Sequence, residues 1–162
     1  MYQILFLDKS RKEEVLPGLF QMLAANMSQI APTGNTLEED FAAWKEALYP
    51  ALDRKERQIL LIRNAERTIG YFQYYVNEDR FMMEEIQIEK DFQGTGAFQQ
   101  LYRFLAREIP AEIQWVCAYA HKNNHKSQGI LNHLGLEIAG ENQSGDCYFY
   151  KGDCQKMLDR YR

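Results

Sequence analysis

Six consecutive residues, Gln93-Gly94-Thr95-Gly96-Ala97-Phe98, have the types and the order to hold a phosphate group. An extended apolar run, Phe81 to Ile88, precedes them, and a helical pattern reaching Ile109 comes after. Glycine lets a backbone approach a ligand with no Cβ in the way. The N–H groups leaving such a turn, with the positive end of the helix dipole behind them, favour an anion. No Gly-Lys-Ser/Thr is present after the turn, so this is not a Walker loop. Gln99 stands where a dinucleotide fingerprint would need a third glycine, so it is not a Rossmann turn either. The stretch reads as a pyrophosphate cradle.

Carboxylates on the strand before the cradle are the residues able to move a proton. Glu84 and Glu85 are adjacent, and in a regular strand they face opposite ways. Glu84 then shares its face with Met82, Ile86 and Ile88, and a carboxylate among apolar neighbours has a raised pKa, as a base working near neutrality needs. Glu85 is the reserve candidate. His121 and His125 are four apart, but Lys122, Asn123, Asn124 and Lys126 make their surroundings a polar loop entering a helix. They read as surface histidines, and no metal site is expected. Cys117, Cys147 and Cys154 have no Cys-x-x-Cys spacing and read as free thiols, Cys117 buried within an apolar run.

The elements that must position these groups follow from periodicity. Tyr2 to Leu7 predicts a first strand. Val15, Leu16, Leu19, Phe20 and Leu23 fall at helical spacing within Arg11 to Ala25, and Asn26 to Thr36 is a loop by composition. A second helix spans Leu37 to Leu52, capped by Thr36, with Pro50 marking its end. Gln58 to Arg63, Thr68 to Val76 and Phe81 to Ile88 predict an antiparallel meander. On its middle strand Tyr71, Phe72, Tyr74 and Tyr75 alternate two to each face, chiefly as core. Phe98, Leu101, Tyr102, Leu105 and Ile109 make one stripe of the helix after the cradle, and Pro110 stops it. Ile113 to Ala120 reads as a central strand covered on both faces. Asn124 caps a helix carrying Ile130, Leu131 and Leu134, and Gly135 ends it. Leu136 to Ala139 and Cys147 to Tyr150 predict a closing hairpin, with a short helix after it.

Bulk properties narrow the partners. The 162 residues suit one domain with a substantial core, and 46% hydrophobic with 26% charged residues is the ordinary composition of a soluble globular protein. A net charge of −4 without a Lys/Arg block argues against nucleic acid. The apolar start is too short for a signal peptide or a membrane span, so a cytoplasmic protein without a membrane partner is expected. A homodimer is compatible with the sequence.

The order β-α-α-β-β-β, glycine loop, α-β-α-β-β resembles the GNAT superfamily of acyl-CoA-dependent N-acyltransferases over essentially the whole chain. Gln93 and Gly96 fill the first and fourth positions of that family's Gln/Arg-x-x-Gly-x-Gly/Ala signature. Phe98 stands at the sixth, where Gly or Ala is usual. Asn124 and Leu134-Gly135-Leu136 match a second block, Asn…Leu-Gly-Phe. The resemblance implies a single α/β (α+β) domain over residues 1–162, with a mixed sheet of about seven strands and helices on both faces. It implies an N-acetyltransferase that moves an acetyl group from acetyl-CoA to a primary amine of a small molecule, amino acid or peptide. The amine would attack the thioester directly in a ternary complex. The competing class is a binding module of the same fold that holds an acyl-CoA or a protein without turnover.

For individual residues, the resemblance implies acetyl-CoA contacts from Ile86 and Ile88 on the strand, from Gln93, Gly94, Thr95, Gly96, Ala97 and Phe98, and from Asn124. Relatives acting on polyamines carry a glutamate at the place of Glu84, which puts it ahead of Glu85 as base. The tyrosine that often protonates the leaving thiolate is replaced here by Leu131. Tyr119, on the neighbouring strand, is the substitute, although packing also accounts for it. Phe98 is expected to turn into the core and leave its N–H free.

Overall fold

The computed structural model describes residues 1–28, 30–54 and 56–162. Of the loop expected from Asn26 to Thr36, Gln29 lies outside the described residues. In chain order the strands are β1 (Tyr2–Phe6), β2 (Arg57–Asn64), β3 (Arg67–Asn77), β4 (Arg80–Ile88), β5 (Trp115–His121), β6 (Glu137–Glu141) and β7 (Cys147–Asp153). The helices are α1 (Lys12–Met27), α2 (Leu37–Leu52), α3 (Ala97–Glu108), α4 (His125–His133) and α5 (Cys154–Asp159). The strands form one mixed sheet in the order β1-β2-β3-β4-β5-β7-β6, antiparallel throughout except for the parallel β4–β5 pair. This is the architecture expected from the order of elements.

Two cores sit on opposite faces of the sheet. Leu101, Tyr102 and Leu105 of α3, Leu131 of α4 and Met157 and Leu158 of α5 pack over Leu60, Phe72, Phe81, Met83 and Val116. Leu16, Leu19 and Met22 of α1, with Leu48 and Leu52 of α2, pack over Ile59, Leu61 and Tyr71. Tyr71 thus separates from Phe72 and Tyr74 as alternation along β3 requires.

Local signals explain most element ends. The Thr36 side chain accepts from Glu39 N–H at 3.1 Å, and Glu38, Glu39 and Asp40 complement the dipole of α2. Pro50 does not stop that helix: it lies within α2, whose last turn is pinned by the buried Leu48 and Leu52. Helix α1 likewise runs through Pro17 and extends to Met27, so Asn26 belongs to its last turn rather than to a loop.

Strand β4 is irregular in two places. Gln73 pairs with Glu85 and Tyr74 with Met83, which leaves Glu84 as the extra residue of a β-bulge. Pairing with β5 covers only Arg80↔Trp115 to Met83↔Ala118. Beyond that point the two parallel strands part, and the rest of β4 has no strand on that side.

Candidate functional site

The glycine turn lies past the open end of this gap. Gly94 (φ +76°) and Gly96 (φ +95°) are both left-handed, and a Cβ added to either would meet nothing within 4 Å. Gly96 precedes the first residue of α3, and no side chain caps that helix. Its first amides are therefore directed at the space over the loop. Several contacts hold the turn in place. Gln93 Nε2 donates to the Ile88 carbonyl at 2.9 Å, Gln93 Oε1 accepts from Lys126 Nζ, Thr95 Oγ1 donates to the Phe92 carbonyl, and Tyr2 reaches Thr95. Lys126 adds a cation to a site whose backbone already favours an anion.

Phe98 turns away from the turn. Its ring stacks on the buried Tyr102 with centroids 4.4 Å apart, and it packs against the α3-side core. The open side of the loop is thus left to backbone groups.

The carboxylates depart from the expected arrangement. Because the extra residue of the bulge falls at Glu84, the alternation along β4 resets there. Phe81 and Met83 face the α3-side core, as do Ile86 and Ile88, while both glutamates face α2. The expectation that Glu84 shares a face with Ile86 and Ile88, with Glu85 on the other, does not hold. Arg57 grips Glu84 at two points, Nε to Oε1 and Nη2 to Oε2, each at 2.6 Å. Gln73 Nε2 adds a bond to Oε1 at 3.2 Å, and the guanidinium lies 4.8 Å from the centroid of the Tyr75 ring. Such a fork-to-fork pair engages both oxygens of the carboxylate with one guanidinium.

Among the described residues no such cation pairs with Glu85. Protein crowds its carboxyl, and burial raises it to about 7, the Glu84 charge adding to that and a bond from Gln87 Nε2 (2.6 Å) opposing it. The two glutamates, Arg57 and Gln73 floor a cavity of about 320 Å³ roofed by Trp44, Ala47, Leu48 and Ala51 of α2. Beside it, the Tyr71 hydroxyl is buried with no hydrogen-bond partner among the described residues, and burial together with the Glu85 charge holds it neutral.

Glu85 also sets a pH dependence of stability. An unfolded glutamate loses its proton near pH ~4.3, whereas the folded carboxyl keeps it up to about 7. In between, the folded state binds more protons, so this group's contribution falls as pH rises and levels off above the folded value. Glu85→Gln is therefore expected to stabilise the protein by roughly 1–3 kcal/mol at pH ~8, about 2–4 °C per kcal/mol, and to change little at pH ~4. Thermal melts at the two pH values measure the difference. An equal gain at both would assign the effect to packing.

Tyr119 projects from β5 one residue past the last β4–β5 pair. Val116, Ala118 and Ala120 belong to the α3-side core, so Tyr119 lies on the opposite face, as the glutamates do. It is 51% exposed, with its ring 5.0 Å from that of Phe149. The two-sided cover expected for the whole of β5 therefore ends at Ala118. Leu131 is buried in the core. Asn124 caps α4, its Oδ1 accepting from Ser127 N–H at 3.0 Å. His121 Nδ1 accepts from Asn123 N–H at 3.0 Å. The three cysteines are free thiols.

Arg57, Asn26 and Lys126 escaped the reading of the sequence as site residues. Arg57 lies one residue outside the strand predicted from Gln58, and Asn26 one past the predicted helix. Lys126 sits in the first turn of α4, so the Asn124 cap was the signal that could have placed it near the loop.

No family model matches the sequence, and no curated protein matches it. Solved structures do. An acetyltransferase from Thermus thermophilus aligns with a TM-score of 0.73 at 16% identity, over 94% of this chain and 97% of that one. The PaiA N-acetyltransferase from Thermoplasma acidophilum, in complex with coenzyme A, aligns with a TM-score of 0.71 at 11% identity, over 94% and 99%. The microcin C7 self-immunity acetyltransferase MccE, in complex with acetyl-CoA and AMP, aligns with a TM-score of 0.64 at 18% identity, over 94% and 92%. The chain has the GNAT fold.

Proposed function

We propose that the protein is an acyl-CoA-dependent N-acetyltransferase that moves the acetyl group of acetyl-CoA to a primary amine of a small molecule, amino acid or peptide in a ternary complex. The observation that carries this reading is the conjunction at β4. One end of the parted segment leads to the open glycine turn, and the other begins at a bulge that presents a crowded carboxylate, with no cation paired to it among the described residues, to a cavity.

In this reading the backbone of residues 94–98 and Lys126 bind the pyrophosphate. Ile86 and Ile88 line the gap taken by the pantetheine arm, and Asn124 offers its amide nearby. Acetyl-CoA supplies an activated thioester, and the fold supplies proximity. The acceptor enters the cavity under α2, where Glu85 takes its proton as the nitrogen adds to the carbonyl carbon. Glu85 is preferred to Glu84 because Arg57 occupies both oxygens of Glu84. The contribution of Glu84 is to cancel the Arg57 charge and to discourage ionisation of its neighbour. The departing thiolate is a tolerable leaving group, since a thiol ionises near pH ~8.5. Tyr119 is the hydroxyl we place to return a proton to it.

A binding module without turnover is favoured by one feature, the buried Leu131 where the family often has a hydroxyl. Calorimetry with acetyl-CoA, then free-thiol release over a panel of primary amines, separates the two. Binding with amine-dependent thiol release supports the enzyme, binding with none on any amine supports the module, and no binding overturns both. Among the described residues no helix is long and apolar enough to cross a membrane. A cytoplasmic location remains part of the proposal.

A further inference from the structure

The wall of the gap is already engaged by side chains. Glu89 N–H donates to the Ile69 carbonyl at 2.8 Å, so residue 89 faces β3 and its neighbour Ile88 turns its carbonyl away from that strand. The Ile88 carbonyl accepts two bonds, from Gln93 Nε2 at 2.9 Å and from Asn26 Nδ2 at 3.0 Å. The same Asn26 nitrogen gives a hydrogen to Gln87 Oε1 at 2.9 Å, and Gln87 Nε2 donates to Glu85 Oε1 at 2.6 Å.

The direction of this chain follows from chemistry. Once Glu85 is ionised its carboxylate only accepts, so in that state the Gln87 nitrogen faces Glu85 and its oxygen faces Asn26. Asn26 must then donate. Gln87 is 7% exposed, the buried polar side chain among the described residues. Its amide has no room to turn to water. The chain joins the groove of the acyl donor to the carboxylate at the acceptor cavity.

We infer that Asn26 and Gln87 form a positioning relay by which an acyl donor settling on the Ile88 carbonyl readies Glu85 to accept a proton. The inference rests on the acyl-CoA reading above. A carbonyl oxygen has two lone pairs, and both are used. A donor amide N–H reaches Ile88 only by displacing one of the two side chains. Gln93 is held at its other end by Lys126, so Asn26 yields. Released from Ile88, Asn26 gives its donor capacity to Gln87, which strengthens the Gln87 bond to Glu85 and favours the ionised carboxylate. Acyl-donor binding thus precedes activation of the base.

The other charged and titratable groups around Glu85 bear on its ionisation differently. Glu84 on its own strand is neutralised by Arg57 of β2, and Tyr71 of β3 approaches with a neutral hydroxyl. Helix α2 lines the cavity with Trp44, Ala47, Leu48 and Ala51, none of them charged, and α1 contributes Asn26.

Carboxyl ¹³C NMR of Glu85, titrated with and without saturating acetyl-CoA, tests the relay. In the native protein the midpoint is expected to fall by at least ~0.5 pH on binding, about threefold in proton affinity. In Asn26→Leu and in Gln87→Met the fall is expected to vanish while acetyl-CoA still binds. A native midpoint that does not fall despite binding overturns the relay alone, and so does a fall that survives in either variant. Absence of acetyl-CoA binding to the native protein overturns the acyltransferase reading itself. If Asn26→Leu does not fold, Gln87→Met decides, because it cuts the chain at the second link.

Discussion

Glu85→Gln is expected to lower turnover by roughly 10²–10⁴-fold and to leave acetyl-CoA affinity nearly unchanged. Glutamine keeps the size of the side chain and its bond to Gln87 but cannot take a proton. Such a loss amounts to about 3–5 kcal/mol of transition-state stabilisation, at 1.36 kcal/mol per factor of ten. The native rate should rise with pH through a limb near the raised value of about 7 and then flatten. The variant should lose that limb.

Glu84→Gln separates the neighbours. It removes the partner of Arg57 and the negative charge next to Glu85. Both changes favour the ionised form of Glu85, so the limb should move to lower pH and remain present, with a smaller loss of turnover. If Glu84→Gln abolishes the limb and Glu85→Gln merely shifts it, the roles are reversed. If neither variant slows any acceptor that supports thiol release, the amine loses its proton to water.

The difference between the two glutamates was out of reach of the sequence for a specific reason. Alternation assigns faces only while a strand stays regular, and one inserted residue reverses every assignment beyond it. Met82-Met83-Glu84-Glu85 contains no glycine or proline to announce a bulge. The partner strand gives it away only in register, where Gln73 meets Glu85 and Tyr74 meets Met83. Arg57 and Asn26 were missed at element ends, where periodicity has too few repeats to fix a boundary. Both act over long stretches of chain, from residue 57 to 84 and from 26 to 87 and 88. Spacing along the sequence cannot report such contacts. What periodicity could fix, it did. The order of strands and helices needs only the apolar repeat, and the caps at Thr36 and Asn124 are short-range hydrogen bonds legible in residue type. Phe98 was legible for the same reason, since its place in the Leu101-Tyr102-Leu105 stripe turns its ring onto Tyr102.

Gly96→Val is expected to weaken acetyl-CoA binding by at least ~10²-fold, because open space over a left-handed backbone is what a phosphate needs there. Gly96 has φ +95°, and a Cβ there points into space that no protein atom fills within 4 Å. Valine would place two methyl groups over the first amides of α3, where the pyrophosphate is proposed to lie. It would also strain the backbone, because a β-branched residue is disfavoured at positive φ, at a cost on the order of 1–3 kcal/mol. Strain and blockage therefore need separate controls. Gly145 has φ +76° in the turn between β6 and β7, with Glu141 Oε2 3.6 Å from an added Cβ. Gly145→Val should carry a comparable loss of stability in thermal melts and bind acetyl-CoA as the native protein does. Calorimetry on the three proteins gives the comparison. If Gly96→Val binds acetyl-CoA with native affinity, the loop does not hold the pyrophosphate. If Gly145→Val loses affinity to the same degree, the loss belongs to stability and not to the loop.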